Sequence, residues 1–385
     1  MPVSSDVKSS GMSRREFARK LAASAAAAAC AGGIGPALAR HAFGEEKTTA
    51  PGEAMFYERL EDNEVQCRVC PRECIIQDGK TGFCNNRANT GGTLKSLVYG
   101  KPCSIDAGPI EKAPLFHFRP GHIRLCLSTV GCNMRCKHCQ NWQTSQAKPN
   151  EVLARDLPPK EAVQLAQKEK EIKSVCFTFT EPTVFYEYVH DTSKAAQEAG
   201  LATSIVSNGY INEEPLKRLL PVLSAVKIDL KSFSPKFYED VCEGKLEPVL
   251  ETLKTLKAAE KHFEIVYLVI PTLNDSIDEI GKMCEWIKKE LGDRVPLHFT
   301  RFHPEYKLKS LPPTPTKTLE SAIGVAKGCG LKYVYIGNVP GHENNSTFCA
   351  KCGKRIIYRI HFGALENFVE DGKCKFCGEP IPGVW

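Results

Sequence analysis

The chain has 385 residues, of which 42% are hydrophobic and 25% charged, an ordinary composition for a soluble globular protein that can bury a sizeable core. Residues 1–40 carry six basic and two acidic side chains, so they supply +4 of the formal net charge of +6. The nearly neutral remainder gives little support for a nucleic-acid partner. The 18 cysteines are many for this length, and their grouping favours metal sites over disulfides.

Residues 1–40 are predicted to be a leader. Arg14 and Arg15 precede a weakly apolar, alanine-rich run over Leu21–Ala39, which resembles a bacterial twin-arginine export signal. The glycines and the proline in this run make a poor spanning helix, so we expect no stable membrane span. We expect cleavage at the end of the run or lipidation at Cys30, and export to the periplasm or cell envelope. The protein is cytoplasmic if the leader is not functional.

After a predicted linker over residues 41–63, a Cys-rich segment is predicted over residues 64–120. Its four cysteines can close a tetrahedral site around zinc or hold a second iron–sulfur cluster, and disulfides are a third option. Short strands of a small sheet are predicted at Thr93–Gly100, Lys101–Ala107 and Leu115–Phe118. The four residues, called the N-terminal cysteine group below, are Cys67, Cys70, Cys74 and Cys84.

Residues 121–340 are predicted to form an α/β domain, because apolar β-branched runs alternate with segments of helical period. The predicted strands are Ile123–Thr129, Ser174–Phe179, Ala202–Val206, Ala225–Leu230, Phe263–Ile270 and Pro296–Phe302, with Tyr333–Ile336 as a candidate seventh. The predicted helices are Pro159–Lys170, Pro182–Ala199, Glu213–Leu220, Leu246–Lys261, Ile277–Leu291 and Thr316–Gly328. In a β/α barrel, functional side chains lie at the carboxyl ends of the strands.

The loop after the first of these strands carries the strongest chemical signal. Cys132, Cys136 and Cys139, called the cysteine loop below, follow a Cys-x3-Cys-x2-Cys spacing. Thiolates are soft ligands that suit iron–sulfur clusters, and three of them leave one iron of a [4Fe-4S] cluster open. A zinc loop without its fourth ligand, or buried free cysteines, are the alternatives.

This loop resembles the cluster loop of the radical S-adenosylmethionine (SAM) superfamily, and the six β-α units resemble its partial, TIM-like (β/α)6 barrel. The resemblance implies that SAM chelates the open iron. One electron would then cleave SAM to methionine and a 5′-deoxyadenosyl radical, which abstracts hydrogen from a substrate. It also implies an electron donor such as a flavodoxin or a ferredoxin. His138 stands where the superfamily usually has a larger aromatic residue.

Polar side chains follow the later strands. Glu181 follows Thr180 where the superfamily has Gly-Gly-Glu, and the resemblance implies that it receives the SAM amino group. Lys231 resembles the lysine of glycyl-radical-enzyme activases that pairs with the SAM carboxylate, and His303 is predicted at the barrel mouth. Lys231 and His303 are therefore the candidate catalytic residues. The candidate cofactor-binding residues are Glu181, Ser207, Asn208, Asp229, Lys231, Asn274 and His303.

Residues 341–385 are predicted to be a zinc-ribbon-like tail. Two Cys-x2-Cys pairs flank an apolar hairpin at Ile356–Phe362, a pattern typical of zinc ribbons. Such a tail is structural or docks a partner protein. Its four candidate zinc ligands, called the ribbon cysteines below, are Cys349, Cys352, Cys374 and Cys377.

Motifs from Met55 to the C-terminus together resemble the AmmeMemoRadiSam-system radical SAM proteins, relatives of pyruvate formate-lyase activating enzyme. They are the Cys-x2-Cys-Pro opening, the Gly-Cys-Asn start of the cysteine loop, Arg301–Pro304 and Gly337–Gly341 with the tail. The resemblance implies a protein substrate, as for an activase, or a small molecule, and partner proteins of that system. The alternative function is an exported iron–sulfur electron carrier that never cleaves SAM.

Overall fold

Short antiparallel strands form the N-terminal part of the computed structural model, which describes residues 52–385. The strands are β1 (Tyr57–Arg59), β2 (Val65–Cys67) and β3 (Ile75–Ile76) in one sheet, and β4 (Arg87–Thr90) and β5 (Thr93–Ser96) in a hairpin. β1 lies within the predicted linker, where its charged, exposed residues gave no apolar strand pattern. The predicted leader, with Arg14, Arg15 and Cys30, lies outside the described residues.

A central sheet of eight strands organises the protein. Its strands are β6 (Ser104–Pro109), β7 (Ile123–Ser128), β8 (Ile172–Phe177), β9 (Ala202–Ser207), β10 (Ala225–Asp229), β11 (Phe263–Val269), β12 (Leu297–Arg301) and β13 (Val334–Gly337). β7 to β13 are parallel and neighbour one another in chain order, whereas β6 is antiparallel to β7. Within the described residues, the edge strands β6 and β13 do not pair with each other, so the barrel is partial. The predicted α/β class and the seventh strand are confirmed.

Helices join the parallel strands on the outside of the sheet. They are α1 (Trp142–Ser145), α2 (Pro159–Lys168), α3 (Tyr186–Glu198), α4 (Glu213–Leu219), α5 (Pro235–Phe237), α6 (Leu246–Ala258), α7 (Ile277–Trp286) and α8 (Thr316–Gly328). π-helical turns at Tyr238–Cys242 and Ile287–Leu291 extend α5 and α7. Single 3-10 turns lie at Glu61–Asn63, Ile110–Lys112, Pro149–Glu151, Pro182–Phe185, Leu220–Val222 and Glu343–Asn345. No described helix is long and apolar enough to cross a membrane.

The core lies between the sheet and the helices. β9 is buried at every position, as expected for a parallel strand that is covered on both faces. α8 instead buries Leu319, Ala322, Ile323 and Ala326, which repeat at helical spacing on one side. These two burial patterns, continuous in the strands and one-sided in the helices, explain why the sequence pattern located the elements of the barrel.

Two predictions for the segment before β7 are wrong. The predicted strand Lys101–Ala107 does not belong to a small sheet, because β6 joins the central sheet by pairing with β7. Leu115–Phe118 is not a strand. The backbone N–H groups of Phe116 and His117 donate to the Glu264 carboxylate over 3.0 and 2.7 Å, so they are not free for a strand ladder.

The tail forms small antiparallel sheets. Its strands are β14 (Thr347–Phe348), β15 (Arg355–Ile360) and β16 (Gly363–Asn367), followed by β17 (Val369–Glu370) and β18 (Lys373–Cys374). β15, β16 and their turn at His361 and Phe362 form the hairpin that the apolar run predicted. Apolar residues of the hairpin pack against Phe116 and against Tyr335 of the edge strand β13, which attaches the tail to the barrel.

Candidate active site

A cavity of about 380 Å³ lies at the carboxyl ends of the central strands. Small-molecule sites in proteins commonly enclose about 300–1,000 Å³. The cysteine loop forms one wall, and the turn at His361 and Phe362 of the tail forms another. The predicted site residues that line it are Cys132, Cys136, Cys139, Glu181, Asn208, Asp229 and Lys231. The fold therefore brings the cysteine loop and four of the predicted cofactor-binding side chains to one place.

The cysteine loop is held close to the N-terminal segment. Gly131 has a φ of 78°, and a Cβ there would lie 2.3 Å from the carbonyl oxygen of Cys84, so only glycine fits. The N–H of Met134 donates to Cys132 Sγ over 3.4 Å, and Asn208 Nδ2 donates to the same sulfur over 3.6 Å. Burial and the Glu181 carboxylate raise the pKa of Cys132, and the hydrogen bond from Met134 opposes this shift. Three half-buried thiols on one cavity wall fit a [4Fe-4S] cluster with one open iron.

Glu181 begins the 3-10 turn after β8 and is 2% exposed. Its Oε1 accepts hydrogen bonds from the Thr183 N–H and hydroxyl and from Ser207 Oγ, whereas its Oε2 accepts one from the Asn208 N–H over 2.8 Å. Burial raises the pKa of Glu181, although these hydrogen bonds oppose the shift. Since each carboxylate oxygen can accept about two hydrogen bonds, Oε2 can receive one further donor from the cavity. Ser207 orients this carboxylate and does not line the cavity itself.

Asp229 lies between two lysines at the end of β10. Lys227 Nζ contacts Asp229 Oδ1, and Lys231 Nζ lies 3.0 Å from Asp229 Oδ2. Burial opposes the ionisation of Asp229, but the two ammonium groups hold its pKa down to about 2. Burial also disfavours the charge on Lys231, yet the attraction of Asp229 and Cys136 raises its pKa above the usual value. Lys231 is therefore a fixed cation beside the cysteine loop.

Like Ser207, the predicted residues Asn274 and His303 do not line the cavity. Asn274 is 1% exposed, accepts from the Ile270 N–H over 2.6 Å, and donates to the carbonyl oxygen of Lys231 over 2.8 Å. It therefore fixes the loop after β11 to the end of β10. His303 is exposed and points to solvent in the segment after β12. Direct contact of either residue with a cofactor stays a prediction.

Sequence reasoning did not identify two residues that line the cavity and one that lies beside the cysteine loop. Lys227 lines it, and its spacing of two residues from Asp229 was a signal, because alternate residues of a strand share a face. Phe179 lines it with a φ of 70°, a conformation that costs energy in a bulky residue. Cys242 lies in the π-helical turn, and its Sγ is within 4.8 Å of ligand atoms of Cys136 and His138. No sequence spacing connected Cys242 to the cysteine loop.

His138 faces the cavity from within the cysteine loop. It is 4% exposed, and its Nδ1 has no hydrogen-bond partner among the described residues. Burial lowers the pKa of His138 to about 3. Its ring is therefore a neutral, flat surface on the wall that carries the three cysteines.

The other two cysteine groups differ in spacing. The ribbon cysteines bring all four sulfur atoms within 4.8 Å of one another, with 3.6 Å between Cys349 and Cys377 and 3.8 Å between Cys352 and Cys374. The N-terminal cysteine group lines a separate, smaller cavity, and no three of its sulfur atoms approach that closely. Both groups consist of cysteines that form no disulfide among the described residues, so either group could bind a metal.

Comparison with known proteins gives matches over most of the chain. Residues 126–287 match the family model described as the radical SAM superfamily. The chain is 49% identical over 331 residues to the uncharacterized protein MJ0808 of Methanocaldococcus jannaschii, which covers 86% of this chain and 98% of that protein. It is 25% identical over 232 residues to the pyruvate formate-lyase 1-activating enzyme of Escherichia coli, covering 56% of this chain and 93% of that enzyme.

Among solved structures, a radical SAM methyltransferase from Sphaerobacter thermophilus matches with a TM-score of 0.46 and 14% identity, covering 62% of this chain and 71% of that one.

Proposed function

Because the chain belongs to the radical SAM superfamily, we propose that it is an enzyme that cleaves SAM reductively at a [4Fe-4S] cluster held by the cysteine loop. Such a cluster, when bound, supplies an open iron for SAM and the electron that produces a 5′-deoxyadenosyl radical. The observation that carries the proposal is that Glu181, Asp229 and Lys231 line the same cavity as the three cysteines.

The charges in this cavity match the methionine part of SAM. Glu181 Oε2 has room for one donor and would receive the amino group. The Lys231 ammonium would pair with the carboxylate, and Asp229 holds that ammonium in place at 3.0 Å. His138 offers its neutral ring to the adenine. Each residue thus binds or orients SAM, and none needs to transfer a proton.

The substrate would donate hydrogen from the side of the cavity away from the cysteine loop, where His361 and Phe362 of the tail contribute to the wall. We propose a protein substrate, as for an activase, or a small molecule. The electron donor would be a flavodoxin, a ferredoxin or a protein of similar potential. Partner proteins of the AmmeMemoRadiSam system belong to the same proposal.

We propose that the ribbon cysteines bind zinc. A tetrahedral site with zinc–sulfur bonds of about 2.3 Å separates its sulfur atoms by about 3.8 Å. The measured separations of 3.6 and 3.8 Å fit this geometry. We also propose that the leader exports the folded protein, because the twin-arginine route carries proteins whose clusters were assembled in the cytoplasm. Function outside the cytoplasm would then require SAM and low-potential electrons there.

The decisive experiment measures 5′-deoxyadenosine after anaerobic reconstitution with iron and sulfide and addition of dithionite and SAM. We expect release by the wild-type protein and none by Cys136→Ala. Cys329→Ala is the matched control, because Cys329 lies next to α8 and does not line the cavity. Wild-type protein with an intact cluster but no 5′-deoxyadenosine would overturn the proposal and favour the electron-carrier function.

A further inference from the structure

The structure provides an internal standard for the spacing of metal-binding thiols. The ribbon cysteines have the short sulfur–sulfur distances of a single tetrahedral ion. No three sulfur atoms of the cysteine loop lie within 4.8 Å of one another, and the same is true of the N-terminal cysteine group. A cube of four irons and four sulfides is larger than one ion and holds its thiolates further apart. The N-terminal cysteine group is therefore more widely spaced than the ribbon cysteines, which favours a cluster over a single ion.

The cavity beside these four thiols also differs from a closed single-ion site. All four line a cavity of about 20 Å³. A cavity of about 10–15 Å³ already holds a water molecule. Four sulfur atoms at the spacing of about 3.8 Å that a zinc ion requires would leave no room for a water-sized volume between them.

A buried guanidinium next to this cavity has one nitrogen without a hydrogen-bond partner among the described residues. Arg87 lines the cavity, is 2% exposed, and pairs through Nη2 with Glu187 at 2.6 Å. Its Nε has no hydrogen-bond partner in the described part of the chain. An unpaired buried donor is costly, and an anionic group in the cavity would relieve this cost. Four thiolates around a cluster supply such negative charge.

The N-terminal cavity adjoins the cysteine loop directly. The Cys84 carbonyl packs against Gly131, which precedes the first cysteine of the loop. Arg72 Nε donates to the carbonyl oxygen of Asn133 over 2.6 Å, and Asn133 itself lines the N-terminal cavity. The guanidinium of Arg135 lies 4.0 Å above the ring of Phe83, another residue of that cavity. These contacts hold the two cysteine groups side by side.

We propose that the N-terminal cysteine group binds a second [4Fe-4S] cluster that passes single electrons to the cluster of the cysteine loop. Four protein ligands leave no iron open, so this cluster carries electrons and does not bind substrate. A one-electron donor, such as a reduced flavodoxin, reduces it by one electron. It then gives that electron to the neighbouring cluster and returns to its oxidised state, and no bond forms or breaks.

Metal content per chain tests the site independently of SAM cleavage. We expect about eight irons and one zinc in the reconstituted wild-type protein, because each cluster contains about four irons. The triple variant Cys132→Ala/Cys136→Ala/Cys139→Ala should retain about four irons and the zinc. It leaves the N-terminal group untouched, so the result does not depend on whether that group tolerates substitution. A triple variant without iron, with about two zincs, would overturn the proposal.

The relay is tested with the double variant Cys70→Ala/Cys74→Ala, and Cys329→Ala again serves as the control. About four irons should remain in the double variant, which shows that the cysteine loop is still assembled. With dithionite, its release of 5′-deoxyadenosine should stay close to that of the wild type. With reduced flavodoxin, the release should fall at least tenfold. If the double variant keeps the wild-type rate of release with both reductants, the relay is refuted. If the wild type releases no 5′-deoxyadenosine, the proposed function is refuted, and the iron count alone then tests the second cluster.

Discussion

Asp229→Asn would remove a carboxylate that two buried ammonium groups share. The side chain of Lys227 is 5% exposed and that of Lys231 is 17% exposed, so water can replace little of the lost interaction. Removing one partner of a buried ion pair costs about 3–5 kcal/mol, because the other charge remains buried and unpaired. Asp229 itself is 26% exposed, so we expect the lower end, about 3 kcal/mol in the free energy of unfolding.

The assay is anaerobic urea unfolding followed by circular dichroism, with Asp240→Asn as the matched control. Asp240 pairs with Lys236 over 2.7 Å on the surface, so its substitution should leave the free energy of unfolding nearly unchanged. A pKa of about 2 means that Asp229 stabilises the fold fully above its ordinary pKa of 3.8 and loses this effect as the pH falls toward 2. The difference between wild type and Asp229→Asn should therefore be the same at about pH 7 and pH 5.5.

A second substitution tests the cause of the loss. Lys227→Met in the Asp229→Asn background removes one of the two unpaired cations and keeps an apolar chain of similar length. We expect this double variant to be more stable than Asp229→Asn alone, because buried charges without partners are the source of the cost. If the second substitution restores nothing, or if Asp229→Asn costs no more than Asp240→Asn, the three charges do not form the coupled unit described above.

Three further predictions concern other parts of the chain. Phe179→Gly should be about 0.5–1 kcal/mol more stable than Phe179→Ala in urea unfolding. Glycine relieves the left-handed backbone at this position, and this gain outweighs the larger entropy of glycine in the unfolded chain. The reverse order would contradict backbone strain at this residue. Cys352→Ser should lower the zinc content by about one per chain without changing the iron content, measured by plasma emission. Replacing Arg14 and Arg15 by Lys should retain the protein inside the cell in fractionation experiments, and an unchanged location would contradict export.

The sequence predicted the barrel well because its elements are defined by local periodicity. α8 has the predicted bounds Thr316–Gly328, and the parallel strands end within two residues of the predicted positions. The segment before β7 was predicted less well because its conformation depends on distant partners. Glu264, almost 150 residues further along the chain, takes the backbone N–H groups of Phe116 and His117.

The candidate site shows the same difference between residues found by local sequence patterns and residues placed by distant contacts. The motif spacing identified the cysteine loop, and the strand ends identified Glu181 and Lys231, which all line the cavity. Cys242 reaches Cys136 only because a π-helical turn pairs its backbone with the cysteine loop, as the Arg135 N–H donates to the carbonyl oxygen of Cys242 over 2.9 Å. Nothing in a linear spacing encodes such a contact, so this residue required the structure.

The tail is part of the cavity and not a separate appendage. The segment Ile110–Phe118 packs against β8, β9 and β10, and the Glu264 carboxylate of β11 accepts hydrogen bonds from its backbone. Arg359 of the tail, 1% exposed, donates to the carbonyl oxygen of Phe116 over 2.6 Å and lies 3.7 Å from Glu111. Because the same hairpin places His361 and Phe362 in the cavity wall, the ribbon cysteines fix that wall through the strands between them. A metal bound there would therefore shape this wall of the cavity as well as stabilise the tail.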